Sequence, residues 1–279
     1  MTLSAEAPLA SAATSFGGIL REWRRARGAS QLELSLLCGL SQKHLSFLES
    51  GRSRPSRGMV LHLASALGVP LRQQNAMLLA AGFAPVYKER SLQSPEMRPI
   101  DRAFDYVLQQ QEPFPAIVVD RAYNIVRVNG AMTMLLSFLT DGTGLPTDEP
   151  VNTAELVLRP DRLRPFVENW EEVSIWLLRH LRSEAMLEGT RERTSTELLQ
   201  RLWALPGVAE LERAARNDHE LPPTVVSRLR KGETRLALFS VNASLGTPLD
   251  VTLQTLHLEL FFAADEATER WFRDRAEPQ

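Results

Sequence analysis

The sequence predicts two domains, an all-α bundle followed by an α+β domain with a mostly antiparallel sheet, and three observations carry that reading. The chain has 279 residues and is 44% hydrophobic, roughly two domains by the usual size range and ample for packed cores. Its charge is divided: residues 15–90 hold eleven Lys/Arg against four acids, a net of +7, whereas residues 91–279 hold 21 basic against 29 acidic side chains, a net of −8. The hydrophobic period also changes, from helical 3-and-4 spacing before Gln111 to a β-branched run from Ala116. A basic third on an acidic body is the asymmetry expected when one domain meets a polyanion and the other does not.

Residues 1–14 are small and polar and read as a disordered arm without the basic start and apolar run of a leader. No stretch approaches the ~18 to 20 apolar residues of a membrane helix. Cys38 is the single cysteine, which excludes an intramolecular disulfide and a four-cysteine zinc site and suits a reducing cytoplasm.

Residues 15–90 form the first predicted domain. Phe16, Ile19, Leu20 and Trp23 recur at helical spacing, with Arg21, Arg24 and Arg25 opposite and Gly28 as a stop. Ser30 caps a second helix from Gln31 to Cys38, and that cap outweighs the strand-like alternation of Leu32, Leu34 and Leu36. Gly39 and Leu40 make a tight turn. Ser41 then caps a short third helix, Gln42 to Glu49, whose Leu45 and Leu48 face inward. The helical period therefore turns Gln42, Lys43, Ser46 and Phe47 outward, with His44 beside them.

Those outward side chains suit base edges. Gln pairs with adenine, Lys reaches guanine acceptors, Ser suits several edges, and a ring edge packs on a thymine methyl. Phe47 has a second reading, packed on the domain core, of equal weight on geometry. The loop that follows carries Arg52, Arg54 and Arg57 around Pro55 and has the character of a phosphate grip. A fourth helix places Val60, Leu63, Ala64 and Leu67 inward and stops at Gly68, and a fifth spans Leu71 to Ala81.

Ser30-Gln31, Leu34, Gly39, Ser41, Leu45, Leu48-Glu49-Ser50-Gly51 and the Leu-Ala-Ser-Ala-Leu-Gly run ending at Gly68 closely resemble the Cro/repressor (XRE-type) helix-turn-helix family, with its lambda-repressor-like bundle. The resemblance covers Phe16 through Val69. It implies that Gln31 contacts a phosphate and that Glu49 is structural, bracing the loop after the third helix. Gln31 at the first position of a helix also has a plain solvated reading.

Residues 91–112 read as a linker, rich in turn residues, and a connecting helix from Pro99 to Gln111. The second domain, 113–279, opens on a hairpin, Ala116 to Val128 around Asp120 to Ala122. Asn129 caps an apolar helix through Phe138, and Asp141 to Pro146 is a loop. From Asp161 the spacing of Leu163, Phe166, Val167, Trp170, Val173, Leu177 and Leu181 predicts one long helix, with Ile175, Trp176 and Leu178 as a second apolar edge. Helices follow at Ser195 to Ala204 and Val208 to Ala215. Strands are expected at Arg235 to Val241 and Val251 to Phe262, with Leu256, Leu258, Leu260 and Phe262 on one face, before a C-terminal helix.

Strands, then helices, then strands within one unit define the α+β class. Pro115 to Asn129, Arg164 with Asn169-Trp170-Glu171 and Arg182, and Gly246-Thr-Pro-Leu-Asp250-Val-Thr-Leu253 resemble the PAS-like ligand-binding domain of MmyB-like regulators. That resemblance implies a hydrophobic cavity suited to a fatty-acid-like molecule. Candidate contacts are Phe138, Trp170, Val173, Trp176, Leu177 and Phe239, although an aromatic stripe at helical spacing is ordinarily core. Arg164, Arg179 or Arg182 can pair with a carboxylate head, and a surface arginine is the commoner outcome.

His44, His62, His180, His219 and His257 have no paired spacing, so no metal site is expected, and no catalytic constellation or phosphate loop emerges. The leading expectation is a cytoplasmic homodimer that binds a double-stranded operator and senses a small apolar ligand, without a cofactor or membrane partner. Two rivals remain at this point: a DNA-tethered enzyme acting on a lipid-like metabolite, and a regulator whose C-terminal domain holds a protein partner.

Overall fold

A computed structural model of the chain describes residues 15–143, 150–188, 194–215, 224–246 and 248–276. The expected N-terminal arm, part of the loop after Asp141, and His219 lie outside the described residues. The described residues divide into two compact units, those within 1–89, 186–192 and 249–254 and those within 90–185, 193–248 and 255–279. Among the described residues no helix is long and apolar enough to cross a membrane.

The first unit contains five helices in its N-terminal part: α1 (Phe16–Ala26), α2 (Gln31–Leu37), α3 (Gln42–Glu49), α4 (Arg57–Ala66) and α5 (Leu71–Ala80). Each of the first four has a serine N-cap, Ser15, Ser30, Ser41 or Ser56, whose hydroxyl accepts a backbone N–H of the first turn. At Ser30 the exchange is reciprocal, because Glu33 accepts the Ser30 N–H in return. The turns after α1, α2, α3 and α4 run through Gly28, Gly39, Gly51 and Gly68 at positive φ, the left-handed stop that glycine adopts without a Cβ penalty. Phe16, Ile19, Leu20, Trp23, Leu34, Leu45, Leu48, Val60, Leu63, Met77 and Leu78 form the core, and Cys38 is buried among them.

A further helical turn in this unit, α12 (Val251–Gln254), stands where a strand was expected. Asp250 explains the difference: it is buried and its carboxylate accepts the Thr252 N–H, which bends the chain into a turn. Gln254 Oε1 then accepts the Leu71 N–H at 2.7 Å and α12 packs on α5.

The second unit is built on a five-stranded antiparallel sheet in the order β2-β1-β5-β4-β3, from β1 (Ala116–Val119), β2 (Ile125–Val128), β3 (Ser227–Lys231), β4 (Thr234–Ser244) and β5 (His257–Ala263). This is the PAS-like α+β arrangement. Its helices are α6 (Arg98–Gln110), α7 (Gly130–Leu139), α8 (Thr153–Leu158), α9 (Trp170–Glu188, through Ala185), α10 (Thr194–Trp203), α11 (Val208–Ala215) and α13 (Glu266–Arg273).

Two elements escaped the periodicity. Strand β3 alternates Arg228 and Arg230 with Leu229, a pattern that its charges mask, and α8 is only six residues long. The long helix also starts later than expected. Pro165 has no N–H to donate, residues 164–166 form a 3-10 turn, and Val167 is extended and pairs with Leu229, so α9 begins at Trp170. The apolar spacing continued through Leu163 and Phe166 because both pack on the sheet core from a loop.

Asn129 fixes the start of α7 against the sheet. Its Oδ1 accepts the N–H groups of Ala116 and Met132, and its Nδ2 donates to the Phe114 carbonyl at 2.8 Å. Asn152 does similar work for α8, accepting the Glu155 N–H and donating to the Ala122 carbonyl of the β1–β2 turn. These two buried amides hold the helices that wall the inner face of the sheet.

Candidate DNA interface and ligand cavity

Helix α3 is seated by Leu45 and Leu48, which are fully buried, and by Gly17 of α1, where an added Cβ would stand 2.5 Å from the Leu48 carbonyl oxygen. Gln42 and Lys43 are exposed, while His44, Ser46 and Phe47 are half-buried on the same helix. Lys43 and Arg52 both place their cations near the Phe47 ring, 5.7 and 5.9 Å from its centroid. Phe47 thus sits between the helix and the loop, with Arg52, Arg54 and Arg57 exposed beyond it.

Glu49 is fully buried at the end of α3 and is held from three sides. Arg24 donates through Nε at 2.6 Å and Nη2 at 3.0 Å, Gln31 Nε2 donates at 2.8 Å, and Arg21 Nε lies 3.4 Å away. Burial alone pushes the carboxyl pKa up, but hydrogen bonds from Arg24 and Gln31 with the charges of Arg24 and Arg21 outweigh it, and the net direction is down. Glu49 therefore clamps α1 and α2 to the end of α3. Gln31 gives one amide hydrogen to this clamp, a partner that position in the motif alone did not reveal.

The second unit holds a partly open cavity of about 170 Å³ between the inner face of the sheet and α7, α8 and α9. Met132, Leu135, Leu136, Val173, Trp176 and Leu177 are among the helical side chains on it, and Ile117, Leu229, Leu238 and Phe261 among those of the sheet. Of the ligand candidates, Val173, Trp176 and Leu177 line it; Phe138, Arg164, Trp170 and Phe239 do not.

Each of those four has another partner. Phe138 packs on Trp271 of α13, with ring centroids 5.1 Å apart. Arg164 lies 3.5 Å over the Trp170 ring and donates to the Pro206 carbonyl, while the Trp170 indole N–H donates to Val157. Phe239 stacks on Phe262 at 5.6 Å, on the sheet face away from the cavity. The strand register decides this: Leu238 and Phe261 face inward, so Phe239, Leu260 and Phe262 face the other way. Arg182 is likewise committed, to Glu212 at 2.5 Å.

The inner face also carries polar groups that spacing did not single out. Ser240, Asn242 and Glu259 line the cavity from β4 and β5, and Tyr123 and His180 line it from the β1–β2 turn and α9. Tyr123 donates to Glu184 at 2.9 Å, and His180 Nε2 lies 3.5 Å from the same carboxylate. Burial, followed by the charge of Glu184, pushes the Tyr123 pKa up, so the phenol stays a donor. Burial pushes Glu259 up as well, opposed only by its hydrogen bond with Ser240, and burial pushes His257 down. The available signal was the alternation of His257, Glu259 and Phe261 opposite the leucines of β5.

A helix-turn-helix bundle with Lys43 exposed on its third helix and Arg52, Arg54 and Arg57 exposed after it, joined in one chain to a PAS-like domain with an apolar cavity, is the build of a ligand-binding transcription regulator. Residues 100–274 match the family described as MmyB-like transcription regulator ligand binding domain, and residues 20–74 match the helix-turn-helix family. The chain belongs to the MmyB-like transcription regulators. A search of curated proteins returned no match.

Proposed function

We propose that this DNA-binding regulator is conditional: it reads a double-stranded operator through α3 and changes its occupancy of that operator when the cavity of the second unit is filled. Gln42, Lys43, His44, Ser46 and Phe47 meet the bases, and Gln31, Arg52, Arg54 and Arg57 meet phosphates. A single helix-turn-helix covers one half-site, so two copies of the chain bind a pseudo-palindrome as a homodimer in the cytoplasm.

The cavity carries the ligand half of this reading. Its walls are mainly aliphatic and aromatic, and at about 170 Å³ it is comparable with an engineered apolar cavity of roughly 150 Å³ that takes up benzene. The occupant is a small, mainly apolar molecule, the broad class to which fatty acids belong. It acts by binding one state of the regulator better than another, because equal affinity for both shifts nothing.

The test is recovery of the occupant. Protein purified under native conditions is denatured, extracted and analysed by mass spectrometry, before and after prolonged incubation with candidate apolar compounds. The proposal expects an unchanged small molecule in stoichiometric amount whose removal alters operator affinity. A chemically converted product would instead favour a DNA-tethered enzyme, and an empty cavity under all conditions would favour a protein partner.

A further inference from the structure

Resting on the reading of this cavity as a ligand site, we propose that its occupant carries a cationic amine on a compact apolar body, with the ammonium group held by Glu259. The lining is divided by chemistry. Ile117, Met132, Leu135, Leu136, Val173 and Leu238 present hydrocarbon, whereas Tyr123, His180, Ser240, Asn242 and Glu259 supply polar atoms. Among the described lining residues there is a carboxyl group but no lysine, arginine or aspartate.

A fatty-acid head finds no lysine or arginine in that set, and His180, the one lining side chain there that can carry positive charge, already faces Glu184 at 3.5 Å. Arg164 is laid over Trp170 and bonded to Pro206, and Arg182 is paired with Glu212. An ammonium group finds a carboxylate, a serine hydroxyl and an amide oxygen, brought together because Asn242 pairs with Glu259 across β4 and β5 and Ser240 is hydrogen-bonded to Glu259. The Trp176 ring, stacked on His180 at 5.4 Å, adds an aromatic wall, and aromatic faces attract cations.

The surroundings of Glu259 fit this assignment. The charged and titratable groups around this end are Tyr123 and Glu184, already hydrogen-bonded to each other, His180 beside Glu184, and His257 with Arg121 in its field. Burial favours the protonated form of Glu259 when the cavity holds no cation, and an ammonium ion offsets that preference by supplying the opposite charge. A volume of about 170 Å³ accommodates an apolar body of about one ring or a chain of about six carbons.

Isothermal titration of the full chain with hexylamine, hexanol and hexanoate at pH 7 separates the possibilities, using the wild type, Glu259→Gln and Glu259→Asp. The expected result is that hexylamine binds the wild type at least about ten-fold more tightly than hexanoate. Glu259→Gln loses about ten-fold in hexylamine affinity while hexanol changes little, and Glu259→Asp, which keeps the charge, retains the preference for amine. Hexanoate binding as tightly as hexylamine, or hexylamine binding equally well to Glu259→Gln, overturns the amine assignment while hexanol binding leaves the cavity reading standing. Failure of all three probes to bind the wild type overturns the cavity reading itself.

Discussion

Arg24 of α1 grips the buried Glu49 of α3 with two nitrogens, at 2.6 and 3.0 Å, and the same guanidinium reaches the Ala29 carbonyl at 2.8 Å. One ion pair thereby joins the first helix, the turn before α2 and the end of α3. Removing one partner leaves the other charge buried without compensation. Glu49→Gln is expected to cost about 3 to 5 kcal/mol, read as a lower midpoint in urea unfolding of the first unit's signal.

The same pair sets a pH dependence. Glu49 has a lowered pKa in the folded chain, so its contribution is complete above the ordinary value of 4.5 and is lost as the pH falls through the lower folded value. The stability gap between wild type and Glu49→Gln should therefore narrow in acid. A gap that stays constant from pH 7 to pH 3 would contradict a charged Glu49.

Gly17→Ala tests how closely α1 and α3 pack. Its Cβ would lie 2.5 Å from the Leu48 carbonyl oxygen and 2.6 Å from that of Glu49, both backbone atoms that cannot swing aside. The loss should be on the order of 1 to 3 kcal/mol, with operator affinity falling because α3 must shift. Gly58→Ala is the control, since nothing lies within 4 Å of an added Cβ there.

On DNA the two groups of residues should behave differently. Replacing Lys43 and Ser46 with alanine relaxes sequence preference by about 1 to 3 kcal/mol per lost base contact. Replacing Arg52 or Arg54 weakens all duplexes alike and lowers the salt slope by about one per phosphate contact. Full retention of preference by the Lys43/Ser46 variant would remove α3 from the reading role.

Glu259 works in the opposite direction from Glu49. Its folded pKa is raised, so stability declines as the pH climbs from the ordinary 4.5 through the higher folded value. Glu259→Gln has no such penalty and should melt at a higher temperature than the ligand-free wild type at neutral pH, with the difference vanishing in acid. Equal melting temperatures across that range would mean that the carboxyl ionises freely.

Much of the first unit was legible because its signals are local. Ser30, Ser41, Gly39 and Gly51 state where helices begin and end, and Leu45 and Leu48 orient α3 by period alone. The Arg24–Glu49–Gln31 clamp was only half legible: a motif marks Glu49, but its partners lie 25 and 18 residues away and meet it only through packing. In the second unit, the face of β5 that lines the cavity was hidden because both of its faces carry large apolar side chains, Leu258, Leu260 and Phe262 on one and Phe261 on the other. Phe239 was consequently expected in the cavity, and Glu259 was not singled out. The 3-10 turn at Pro165 and the helical turn after Asp250 were obscured for a related reason, since apolar spacing records burial and not the backbone conformation that delivers it.

The most direct measurement is the affinity of the full chain for its own operator, selected from random duplexes, with the cavity emptied and then refilled. Fluorescence anisotropy on ligand-stripped protein gives the reference value, and titration of the occupant recovered from native preparations gives the comparison. Conditional regulation predicts a change of about ten-fold or more in operator affinity, abolished when Trp176 and Leu177 are altered to block the cavity. An operator affinity identical with and without the occupant would contradict it.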